Sequence, residues 1–234
     1  MSADGKRALT RIEDQKSEVV MMQKEGARLR QEEYVTAEEY LAFDKSSEIR
    51  NEYVAGEIVA MTGASREHNL ISHNVSRELG VQLRGKPSET YSNDMRVETK
   101  ASDYYYPDTV IVCGKPEIIK RDGVDTLLNP TVVIEVLSKG TEAKDRGDKF
   151  FGYRTIQSLK DYLLISQEKM RVEHYTRQPN DEWILHRDVT ETEGKIIIES
   201  IGCELKLSDI YERVEFLPPS QLRSVKSEEG PDEA

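Results

Sequence analysis

Thr131-Val132-Val133-Ile134-Glu135-Val136-Leu137 is the most strand-like stretch of the chain. Its first four residues are all β-branched, and branching at Cβ suits a pleated strand. Both alternating faces are apolar except at Glu135. Such a run belongs in the middle of a sheet covered on both sides. A carboxylate in that setting costs several kcal/mol of desolvation unless it meets a cation or keeps its proton. Glu135 therefore has one of three readings: an ion pair with a Lys or Arg, a strand end open to water, or a metal ligand.

A second buried strand is expected just upstream. Tyr104-Tyr105-Tyr106 leads into Pro107-Asp108-Thr109-Val110-Ile111-Val112-Cys113, where Asp108 opens an apolar run. The Tyr run reads as half-buried strand residues. Pro-Asp alone is a common turn pair. Two acids that open or line adjacent central strands carry more information. Such a pair can converge on Mg²⁺, which takes a few carboxylate oxygens together with water and phosphate. A metal held there activates water and neutralises charge on a phosphate under attack. Residues 106–113 and 131–137 are accordingly expected to be neighbouring central strands.

The rest of the chain supplies the frame. Thr36 and Glu39 have the spacing of a capping box at a helix start. Asn51 to Thr62 reads as a hairpin about Gly56. Ser65 opens a helix whose Leu70, Ile71, Val75, Leu79 and Leu83 recur on one face, ended by Gly85-Lys86-Pro87. Tyr91 to Glu98 reads as a strand, 114–129 as a loop and 142–158 as a helix. Tyr162–Ile165, Arg171–Tyr175, Trp183–Val189 and Lys195–Ile198 read as an antiparallel meander, and Ser208 as the cap of a short helix.

A length of 234 residues suits one domain with tails. Residues 1–33 form a polar extension and 218–234 an acidic tail, both lacking the apolar content of a core, so the domain is expected over 34–217. The net charge of −11 opposes broad contact with phosphates, which needs local Lys and Arg. Cys113 and Cys203 lack metal-ligand spacing and read as reduced, buried thiols of a cytoplasmic protein. No run approaches the ~18 apolar residues of a membrane span.

Several segments, in order, carry a family resemblance: Asn51-Glu52-Tyr53-Val54-Ala55-Gly56-Glu57, Ser65-Arg66-Glu67-His68, Tyr106-Pro107-Asp108-Thr109, Glu135-Val136-Leu137-Ser138, then Asp145, Lys149 and Tyr153. Together they resemble the PD-(D/E)xK nuclease superfamily, and within it the Uma-type endonuclease branch. The resemblance covers roughly residues 34–217. It implies a restriction-endonuclease-like α+β fold, a mixed central sheet flanked by helices with an antiparallel C-terminal meander. It implies Mg²⁺- or Mn²⁺-dependent hydrolysis of DNA by a homodimer. Asp108, Glu135 and the Val136 carbonyl would hold the metal, and Glu52 would support it. His68 would touch phosphate or orient a water.

The chain departs from the superfamily at Leu137, where a strand lysine is usual. Lys149, on the following helix, would take its place by positioning the attacking water or steadying phosphate charge. Asp145, Lys149 and Tyr153 share one helix face at four-residue spacing. Lys139 is the rival, although four residues of continued strand would carry it about 13 Å along. The branch usually has Ser-Pro where this chain has Ser138-Lys139. His73, His174 and His186 show no metal spacing. The alternative is a non-catalytic interaction protein that keeps the fold, which the acidic charge and the missing strand lysine favour.

Overall fold

The structure is a computed structural model that describes residues 34–61, 63–186 and 188–216. The expected extension 1–33 and tail 218–234 lie outside the described residues. In chain order the elements are α1 (Ala37–Ser46), β1 (Asn51–Val54), β2 (Glu57–Ala60), α2 (Arg66–Gln82), β3 (Ser88–Ser92), β4 (Arg96–Glu98), β5 (Tyr104–Tyr105) and β6 (Thr109–Cys113). There follow β7 (Ile118–Arg121), β8 (Val124–Leu127), β9 (Val132–Leu137), α3 (Glu142–Arg146), α4 (Asp148–Tyr153), β10 (Asp161–Ser166), β11 (Val172–Arg177) and β12 (Trp183–Leu185). β13 (Lys195–Ile198), β14 (Cys203–Lys206) and α5 (Leu207–Ile210) end the described chain.

All six residues of β9 are buried, as its apolar run demands. It lies inside a mixed sheet of order β12-β11-β10-β9-β6-β3, parallel to β10 and antiparallel to β6. Alternation divides its side chains between two cores. Val132, Ile134 and Val136 pack with Ile71, Val75 and Leu79 of α2. Val133 and Leu137 pack with Tyr105, Tyr153 and Tyr162. Glu135 is in phase with the second set.

A second mixed sheet has the order β2-β1-β5-β4-β8-β7. Its β1–β2 hairpin turns at Ala55 and Gly56, both with positive φ (49° and 95°), the geometry a two-residue hairpin turn favours. Thr36 and Glu39 form the expected capping box of α1, and Ser65 caps α2 through the His68 N–H. Tyr40 stacks on Tyr53 and Tyr104, seating α1 on this sheet. Arg96 and Asp44 (3.1 Å) form a buried ion pair beside them.

Several expectations are corrected. Residues 114–129 hold the β7–β8 hairpin, turning at Asp122-Gly123. The stretch 91–98 is two strands in different sheets, because Asn93 adopts φ 48° and turns the chain. The helix expected over 142–158 is two short helices, broken where Gly147 adopts φ −100° and ψ −103°. The meander holds for β10–β11–β12, but β13 leaves it to pair with β14. Helix α5 starts before Ser208, with no side-chain cap. Tyr104, Tyr105 and Tyr106 are fully buried, whereas Cys113 is exposed and only Cys203 is buried. Among the described residues no helix is long and apolar enough to cross a membrane.

Candidate active site

The β6–β9 ladder ends at the pair Thr109↔Ile134, so the last residues of β9 run on without a β6 partner. Asp108, immediately before β6, fills that gap. Its Oδ2 accepts the Val136 N–H at 2.7 Å, and its own N–H lies 3.4 Å from Glu135 Oε2. Pro107, which cannot donate to a ladder, precedes it. The broken ladder thus gathers two carboxylates and a free stretch of strand backbone in one place.

Lys149 reaches the same place from α4. Its Nζ lies 2.8 Å from Glu135 Oε1, 2.9 Å from Glu52 Oε1 and 3.4 Å from Asp145 Oδ1. Glu52, in β1, also accepts the Tyr106 N–H at 3.0 Å. Tyr153 donates to Glu135 Oε1 at 3.1 Å, and Tyr162 donates to the Asp145 carbonyl at 2.9 Å. The i, i+4, i+8 face expected of Asp145, Lys149 and Tyr153 survives the break at Gly147.

This cluster is buried. Glu135 is 3% and Lys149 6% exposed, which puts their charges in a poorly screened setting. Burial pushes the Glu135 carboxyl well above its usual range; Lys149 pulls it back, while Asp145, Asp108 and Glu52 push it further up. Burial likewise raises Asp145. Burial pulls Lys149 down, but Glu135, Glu52 and Asp145 outweigh it and hold the ammonium protonated.

Of the sequence candidates, Glu52, Asp108, Glu135, Val136, Lys149 and His68 come together. His68 Nε2 is 3.3 Å from Asp108 Oδ2. Burial pulls its imidazole down, but the Asp108 carboxylate outweighs it and the net shift is upward. Lys139 does not join them. The chain turns after β9, with Thr141 and Glu142 N–H groups on the Ser138 carbonyl, so strand alternation stops. Lys139 instead pairs with Glu168 at 3.2 Å and is largely exposed. Sequence reasoning missed the Tyr162 contact and the ring of Tyr105, 5.7 Å from the Lys149 ammonium. The tyrosine run was the available signal for the latter.

The donor set suits a hard cation. Asp108 Oδ1 has no hydrogen-bond partner among the described residues, and Glu135 Oε2 has only the long contact to the Asp108 N–H. These oxygens and the Val136 carbonyl are the kind Mg²⁺ takes, leaving room for water and phosphate. Among the described residues no set of three or more His, Cys, Asp or Glu side chains is arranged to hold a metal. A cation here would rely on two carboxylates and a backbone carbonyl.

Two mixed sheets flanked by few helices, with Pro-Asp and Glu meeting at a broken ladder, define a protein of the restriction-endonuclease-like α+β class. The chain belongs to the Uma2 family, described as "Putative restriction endonuclease", which matches residues 37–208. It is similar to two proteins of Synechocystis sp. (strain ATCC 27184 / PCC 6803 / Kazusa). "Uncharacterized protein sll1609" is 36% identical over 152 residues, 64% of this chain and 85% of that protein. "Uncharacterized protein slr1290" is 30% identical over 183 residues, 78% of this chain and 94% of that protein. The crystal structure of a "putative nuclease belonging to DUF820" from Anabaena variabilis ATCC 29413 superposes with a TM-score of 0.64 at 16% identity. That match covers 77% of this chain and 99% of the other, a likeness of fold.

Proposed function

We propose that the chain is a divalent-metal-dependent phosphodiesterase acting on DNA, with Mg²⁺ or Mn²⁺ held by Asp108, Glu135 and the Val136 carbonyl. One observation carries this reading: Glu52, Glu135 and Asp145 share a single buried lysine, with Asp108 alongside. A structural ion pair needs one acid per base. Without a cation the surplus acid is met by protons kept on Glu135 and Asp145, which a bound cation would replace. The family's description as a restriction endonuclease supports DNA as the substrate class.

A cation in this site would supply Lewis acidity toward a phosphate oxygen and a more acidic bound water. The chain's own groups do the rest. Lys149 is held protonated, so it acts as a fixed positive charge that steadies the phosphate rather than as a base. Glu52 and Asp145 hold its ammonium in place. Tyr153 fixes the Glu135 rotamer by donating to Oε1.

The test is cleavage of plasmid DNA with and without Mn²⁺. Wild type should cut only with metal, and Asp108→Ala or Glu135→Ala should lose on the order of 10²-fold or more in rate, as when a group stabilising the transition state is removed. A wild type that neither cuts DNA nor binds metal would leave a non-catalytic interaction protein with the same fold.

A further inference from the structure

Beside the candidate site lies an opening that the chemistry above does not use. It is a cleft of about 540 Å³ between β3, with the turn that follows it, and the β7–β8 hairpin. That size is within the range of small-molecule sites. β3 is the last strand of one sheet and β7 the last of the other, so the cleft lies at the margins of both. Tyr91 and Met95, each half-buried, pack on the same core as Val110 and Val133. Tyr91 stands opposite Val110, two residues along β6 from Asp108. It is therefore one strand over and about 7 Å along from a carboxylate of the candidate site. The Asn93 N–H, in the turn that borders the cleft, donates to the Asp108 carbonyl at 3.2 Å. Cleft and site are joined through that backbone.

The lining decides what the cleft can take. Tyr91, Met95 and Val124 offer a flat ring and apolar contact. Asp94, Asp125 and Lys120 line it with them, two acids to one base. Asp94 is already paired with Arg50 at 2.8 Å, and Lys120 lies 4.0 Å from Asp125. Such a lining disfavours a phosphate and accepts hydrogen bonds from amino groups. A flat heterocycle with amino groups on its edge meets both conditions, and a nucleobase is one. We propose that this cleft receives the nucleobase next to the phosphate held at Asp108 and Glu135, with the base stacked on Tyr91. This rests on the phosphodiesterase reading above and names the form of its substrate. A base in the cleft cannot stay stacked and paired in a duplex. The substrate is then a single strand, or a duplex opened at the cleaved position.

The test is titration of the Mg²⁺-saturated full chain with deoxyadenylate and with deoxyribose phosphate, followed by calorimetry. Neither ligand has a phosphodiester bond, so neither is cut. The nucleotide should bind about tenfold more tightly, the scale of one base stacked on one aromatic ring. Tyr91→Ala should remove that advantage, and Tyr91→Phe should keep it. Equal binding of the two ligands, or an advantage that survives Tyr91→Ala, overturns the cleft as the base site while the phosphate site stands. Binding of neither ligand overturns the phosphate site, and the base site with it. A second measurement uses the wild-type chain with labelled tyrosine rings, the Tyr91 signals being assigned from Tyr91→Phe. Saturating nucleotide should shift those signals through the ring current of the adenine, and the sugar phosphate should not. Tyr91 signals that stay in place at saturating nucleotide overturn the proposal.

Discussion

Lys149 shows what a single residue carries in this fold. Its ammonium has three carboxylates within 3.4 Å, contributed by β1, β9 and α3. Removing the cation leaves several acids buried together, and breaking a buried ion pair costs about 3–5 kcal/mol. Protonation of Glu135 and Asp145 absorbs part of that penalty. Lys149→Met should therefore destabilise the metal-free protein by about 3 kcal/mol in urea unfolding near neutral pH. A loss below about 0.5 kcal/mol, ordinary for a surface change, would show that the acids do not depend on this lysine. The sequence exposed Glu135 because a charge in an apolar run stands out. It could not decide between Lys139 and Lys149, because that choice depends on the turn at Ser138–Thr141, which leaves no periodicity to follow. Glu52 lies 97 residues from Lys149, and nothing local links them.

Elements were legible where periodicity ran long or a cap had its full signature, as in α1, α2 and β9. They were lost where short strands alternate weakly. The β7–β8 hairpin was missed although Asp122-Gly123 is a strong turn signal, because the exposed Ile118 and the polar Lys120, Arg121 and Asp125 resemble a loop. Helix α4 is a sharper case. Gly152 sits in its last turn, where Ala would normally be no worse and at best better by about 1 kcal/mol. Here a Cβ would run into the Tyr105 ring, with its Cε2 at 3.0 Å and the hydroxyl nearer still. Tyr105 cannot yield easily, being fully buried and edge-on to Tyr153 at 4.8 Å. Gly152→Ala should thus destabilise by about 1–3 kcal/mol, the cost of overpacking. It should also slow any cleavage, because α4 carries Lys149 and Tyr153. The cost should shrink in the Tyr105→Phe background, which removes the nearest atom. Equal costs in both backgrounds, measured by urea midpoints, would place the strain elsewhere.

Across the whole molecule, the site is a local excess of acid within an acidic chain of net charge −11, so its thermodynamics should respond to pH and metal together. The Glu135 and Asp145 carboxyls are raised in the fold, first by burial and then by neighbouring acids, from ordinary values of 4.5 and 3.8. A raised native pKa means that the folded chain keeps a proton that the unfolded chain has released. The contribution to stability is then complete below the unfolded value and is lost as pH rises through the folded one. Metal-free stability should fall by this route as pH rises above about 4.5. Exposed ion pairs elsewhere add their own slopes, so the informative quantity is the difference from Glu135→Gln. That variant keeps the shape and an oxygen for Tyr153 but cannot titrate. Its melting temperature should stay near wild type below about pH 4.5 and rise above it as pH climbs past that value. Saturating Mg²⁺ at the higher pH should raise the wild-type midpoint by mass action, since the unfolded chain has no assembled site, and should leave Glu135→Gln unmoved. An ordinary structural ion pair between Glu135 and Lys149 predicts the reverse. Glu135→Gln would then be less stable at every pH because its lysine is left unpaired, and Mg²⁺ would do nothing to either protein. That second pattern would remove the thermodynamic basis for a metal at Asp108 and Glu135.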